Sequence, residues 1–118
     1  MIKTDILTAN ALRMTVSGKL GENDFHDIAP QIDSIIGRFG QVRLLIDATG
    51  FSGWANVAAF ENHVRFIKDH QAKVDRIAVI AGHEWQHWLV GAVRILLHPD
   101  VRAYDRTQED EALRWIES

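Results

Sequence analysis

Val42-Arg43-Leu44-Leu45-Ile46-Asp47 leading into Ala48-Thr49-Gly50-Phe51-Ser52-Gly53-Trp54 is the stretch whose reading decides the fold. Its first part is a nearly continuous apolar run, as expected of a strand buried on both faces of a parallel sheet. The residues after Asp47 are more polar and include two glycines, so the stretch predicts a strand over 42–47 and then a loop. The same pattern recurs downstream. Arg76-Ile77-Ala78-Val79-Ile80-Ala81 leads into Gly82-His83-Glu84-Trp85-Gln86-His87-Trp88. Ligands of open parallel sheets dock beyond the carboxyl ends of the strands, so these two loops mark the expected site.

Working outward, residues 3–8 and 12–17 read as two strands about Ala9-Asn10, with Leu12, Met14 and Val16 alternating against Arg13, Thr15 and Ser17. Over 21–39, Phe25, Ile28, Ile32, Ile35, Ile36 and Phe39 fall on one helical face. Pro30 lies inside that run, which predicts a kink or a fresh helix start, and Gly40 sits where a helix should end. A second helix is expected over 54–71, with Val57, Phe60, Val64 and Ile67 facing inward. A third is expected over 84–97, burying Trp85, Trp88, Leu89, Ala92, Ile95 and Leu96 before Pro99. Residues 101–104 read as a last strand, and Thr107 as the cap of a final helix bearing Ala112, Leu113 and Ile116. The order is ββαβαβαβα, an antiparallel hairpin feeding βα units.

At 118 residues the chain has room for one core, so a single domain over 1–118 is expected. A net charge of −3, with no Lys/Arg cluster, argues against nucleic acid. The absence of cysteine excludes disulfides and thiolate chemistry. No apolar run reaches transmembrane length and the start lacks the apolar core of a signal peptide, so a cytoplasmic location is expected.

Gly18-Lys19-Leu20-Gly21-Glu22-Asn23-Asp24-Phe25, Pro30, the two strand runs, Phe51-Ser52-Gly53-Trp54 and the closing Ala112-Leu113-Arg114-Trp115-Ile116 carry a family likeness. In them the chain resembles the SpoIIAA-like family, grouped with STAS domains and more distantly with CRAL-TRIO lipid-transfer domains. The likeness spans nearly the whole chain and is one of spacing, with no catalytic motif in it. It implies an α/β SpoIIAA-like (STAS-like) sandwich: a mostly parallel five-stranded sheet with an N-terminal antiparallel hairpin and about four helices. It also implies a binding or regulatory module in place of an enzyme. STAS domains of the anti-sigma-factor-antagonist type carry a phosphorylatable Ser or Thr after an Asp. The corresponding loop here offers Thr49 and Ser52 but no Asp-Ser pair.

The candidate ligand- or partner-binding residues are therefore Asp47, Thr49, Gly50, Phe51, Ser52, Gly53 and Trp54, with His83 and Trp85 from the second loop. Glycines admit a ligand to backbone N–H groups, and a helix start favours negative charge. His83-Glu84-Trp85-Gln86-His87 matches the H-E-x-x-H string of zinc hydrolases, which makes His83 and His87 the rival metal ligands and Glu84 the rival base. Against that, His83 follows the strand end at Gly82, and Val90 and Val93 stand where the extended motif has Gly and His. His87, Gly91, Arg94 and His98 form a polar helical stripe able to meet an anion, though solvated faces look the same. Ala59, His63, Phe66 and His70 form a second row on the helix over 54–71, opposite its expected core face. An outward Phe66 there points to a second copy, as in a homodimer, or to a hydrophobic ligand as its cover. No cofactor is called for. The expected function is non-catalytic binding of a protein partner or of a lipid-like, amphipathic or anionic small molecule.

Overall fold

The computed structural model describes residues 1–8, 10–82 and 100–118. Five strands form one sheet in the order β1 (Ile2–Ile6), β2 (Ala11–Leu20), β3 (Val42–Trp54), β4 (Val74–Ile80) and β5 (Asp100–Tyr104). β1 runs antiparallel to β2, with Thr4 opposite Met14, and every later neighbour is parallel. Helices α1 (Glu22–Phe39) and α2 (Val57–His70) cover one face, while α3 (Glu109–Glu117) covers the other. These are the helices among the described residues. The helix expected over 84–97 lies outside them, as do His83, Glu84, Trp85, His87, Gly91, Arg94 and His98.

The core divides by strand parity. Leu12, Met14 and Val16 of β2, Leu44 and Ala48 of β3, and Ile77 and Val79 of β4 pack toward Phe25, Ile28, Ile32 and Ile35 of α1. Leu45, Ala78 and Ile80 project the other way, onto Ala112 and Ile116 of α3. A strand with both parities apolar must be covered on both sides, which is why β3 reads as an unbroken hydrophobic run. Arg43 and Arg76 also reach the α3 side, where they donate to the carbonyls of Ile116 and Trp115 at 3.0 and 2.8 Å. They thereby satisfy orphan acceptors at the helix's C-terminal end.

Several sequence expectations are corrected. α1 passes through Pro30 as one helix, and Phe39 is exposed rather than inward. Gly40 ends it as expected, in the left-handed conformation (φ 84°), its N–H donating to the Ile36 carbonyl at 2.7 Å. The final helix is preceded by a 3-10 turn capped by Asp105, whose Oδ1 accepts from the Thr107 N–H at 2.8 Å; Thr107 is the second residue of that turn and not its cap.

Two corrections bear on function. Residues 49–54 are not a loop, because β3 continues to Trp54 beside an equally extended β2. Accordingly α2 starts at Val57, with Asn56 Oδ1 accepting from the Ala59 N–H at 2.8 Å. The second correction is the phase of α2. Val57 and Phe60 are 72% and 41% exposed, while Ala59 is fully buried and His63, Phe66 and His70 turn toward the sheet. Val64 of the expected row is half-buried, so the correction concerns the first turns of the helix, where hydrophobicity alone chose Val57 and Phe60 over Ala59 and His63. The inward row prevails because its histidines find hydrogen-bond partners inside.

Candidate functional site

Two irregularities in the β2–β3 ladder build the site. Thr15 pairs with Asp47 but Ser17 with Gly50, and Gly18 pairs with Phe51 but Leu20 with Trp54. Each shift puts one extra residue into β3. A bulge of that kind reverses the alternation of side chains beyond it. Ala48, Phe51 and Trp54, three apart, therefore all face α1 and α2, where a regular strand would have turned Phe51 away. Gly53, at φ 108°, supplies a conformation that a side chain would strain at the second bulge.

Between this face of the sheet and the two helices lies a cavity of about 150 Å³. Its floor is Met14, Val16, Leu44, Ile46, Ala48, Val74, Ile77 and Val79, with Ile2 and Leu20 at the side of β1 and β2. Phe25 and Ile28 of α1, Phe51 and Trp54 of β3, and His63, Phe66 and His70 of α2 complete the wall. Apart from the two histidines, every one of these side chains is hydrophobic or aromatic.

The aromatic wall is ordered by ring contacts. Phe25 stacks on His63 at 4.6 Å between centroids, and Phe66 stacks on His70 at 4.3 Å. Trp54 meets Phe51 and Phe60 edge-on at 5.2 and 4.9 Å. The Trp54 indole Nε1–H donates to His63 Nδ1 at 3.1 Å. That acceptor role fixes the neutral tautomer with its proton on Nε2. Burial among these rings pushes the His63 pKa down from 6.5 to about 4, since desolvation penalises the charged ring. His70 is held differently. Its Nδ1 lies 2.8 Å from the Phe66 carbonyl and its Nε2 lies 3.0 Å from Asp33 Oδ1, which ties α2 to α1 over the cavity. Both partners are acceptors, so a neutral ring donates to one of them at a time.

The residues picked from the sequence are thus divided. Phe51 and Trp54 reach the cavity. Asp47 lies on the α3 side, within 3.8 Å of Arg13, which also pairs with Glu109 of α3. Thr49 folds onto Asp47, its N–H and Oγ1 both donating to Oδ1 at 3.1 and 2.7 Å. Gly50 is paired with Ser17, and Ser52 is exposed. His63, Phe66 and His70 belong to the site, on the side of α2 opposite to the one hydrophobicity predicts. Among the described residues, no three His, Asp or Glu side chains converge on a metal-sized point, and no helix is long and apolar enough to cross a membrane.

Comparison with known proteins agrees with this architecture. An uncharacterized protein of the DUF3478 family with a SpoIIAA-like fold, from Shewanella loihica PV-4, superposes with a TM-score of 0.78 at 21% identity, covering 98% of this chain and 92% of that one. The anti-sigma factor antagonist SpoIIAA in its unphosphorylated form superposes with a TM-score of 0.63 at 12% identity, covering 100% and 99%. At these identities the likeness establishes the fold. No curated protein matches the chain. The SpoIIAA-like profile matches residues 11–117, nearly the full length, and the chain belongs to the SpoIIAA-like family.

Proposed function

We propose that this protein is a non-catalytic binding module that holds a small hydrophobic molecule between the sheet and helices α1 and α2. The observation carrying the reading is the apolar cavity of about 150 Å³. Native cores are packed with few voids larger than water, and each void costs stability. Dry apolar cavities of about this size bind benzene or xenon in other proteins. The volume suits a single ring or a short branched chain, and it is too small to enclose a long acyl chain. Among the described residues the polar side chains of the lining are His63 and His70, and both are held by hydrogen-bond partners that orient them. The likeness to an anti-sigma factor antagonist supports a role in which occupancy is read by another protein.

Native mass spectrometry of freshly purified protein, joined to methyl NMR with benzene, tests the reading. A small organic mass increment, or saturable shifts of the Met14, Val16, Ile77 and Val79 methyls, is the expected result. A bare subunit mass together with unmoved methyls at saturating benzene overturns it.

A further inference from the structure

His63 lines the cavity and is the group there whose bonding is half used. Its Nδ1 is occupied by Trp54, and among the described residues no acceptor faces Nε2–H. That nitrogen is also not a sealed, orphaned atom of the interior. Being open, this N–H can donate to water or to an acceptor on a molecule that enters the cavity. Each ring nitrogen of His70 already faces an acceptor of the chain, so a ligand there would compete with the Phe66 carbonyl or with Asp33.

The charge balance of the wall narrows the ligand further. Among the described residues no Lys or Arg lines the cavity, and His70 has the Asp33 carboxylate beside it. A carboxylate or phosphate placed inside would face these hydrophobic side chains, with no Lys or Arg of the described lining to compensate its lost hydration. Resting on the binding reading above, we infer that the ligand is an uncharged, ring-sized molecule carrying one hydrogen-bond acceptor, such as a ketone or ester carbonyl, which takes the Nε2–H of His63. Phe25 stacked on the imidazole keeps the ring plane set, and Trp54 keeps the tautomer set, so the donor is preorganised for that acceptor.

Three probes of similar size separate the possibilities by NMR titration of the intact protein: acetophenone, ethylbenzene and benzoate. Acetophenone should bind roughly three- to tenfold more tightly than ethylbenzene, the gain expected of one neutral hydrogen bond. Benzoate should bind at least about 100-fold more weakly than acetophenone, because a charge enters an uncompensated apolar site. His63→Phe should remove the preference for acetophenone while ethylbenzene still binds. The wild-type comparison stands without that variant should it fold poorly. Equal binding of acetophenone and ethylbenzene to the wild type overturns the anchor while leaving the cavity reading intact. Preferred binding of benzoate also overturns it. Binding of none of the three overturns the cavity reading itself.

Discussion

Acid should destabilise this protein through His63 in a defined window. In the folded chain its pKa lies at about 4, against 6.5 for an ordinary histidine. Between those values the unfolded chain takes up a proton that the folded chain refuses, so stability falls as pH falls. The contribution is fully present above about pH 6.5, declines by at most about 1.4 kcal/mol per pH unit, and levels off below about pH 4. The total is at most about 3 kcal/mol, a large share of the stability of a small domain. Protonation also places a donor on Nδ1, where the Trp54 indole must donate, so the bond that orients both rings is lost in the same window. Urea unfolding of the wild type and of His63→Phe at a series of pH values isolates the effect, because every other side chain is common to both proteins. The wild type should lose more stability than the variant between about pH 6.5 and pH 4. Curves that stay parallel across that window would refute the argument that burial holds His63 neutral. A His63 ring-proton titration with a midpoint near 6.5 would refute it equally.

The geometry sets three further outcomes. Ala48→Leu projects new methyl groups into the cavity, and should raise the thermal midpoint by several degrees, about 1 kcal/mol, while abolishing ethylbenzene binding. Asp33→Ala removes the α1 side of the His70 tie; because Asp33 is largely exposed, unfolding should show a loss of at most about 1 kcal/mol, with faster hydrogen exchange in α2. Gly53→Ala forces a side chain to φ 108° at the second bulge, and should cost about 1–3 kcal/mol in urea unfolding. The Trp54 indole resonance should move in the same variant, since the bulge aims that ring.

Where the first half of β3 and the whole of β4 lie, and that both are buried on two faces, was legible in the amino-acid sequence. Leu44, Leu45, Ile77 and Ala78 leave no polar parity for water to claim. The amphipathic stripe of α1, its stop at Gly40 and the apolar positions of α3 were legible for the same reason: local periodicity encodes local burial. The antiparallel start of the sheet followed from the alternation in β2. None of this required knowledge of a partner strand.

The site was decided by pairing between distant segments. Thr49, Gly50, Ser52 and Gly53 carry the composition of a loop, and only the extended β2 alongside them converts 49–54 into a bulged strand. Those bulges place Phe51 and Trp54 on the face of Ala48, which no strict alternation predicts. The inward row of α2 was equally hidden, because Val57 and Phe60 outweigh His63 and His70 on any scale of hydrophobicity. Once Trp54 stands opposite His63, and Asp33 opposite His70, the imidazoles have partners and the polar row can turn inward. Sequence determined which elements form, because periodicity is a property of neighbouring residues; the tertiary structure decided which faces meet, because hydrogen-bond partners and cavity walls come from segments far apart in the chain.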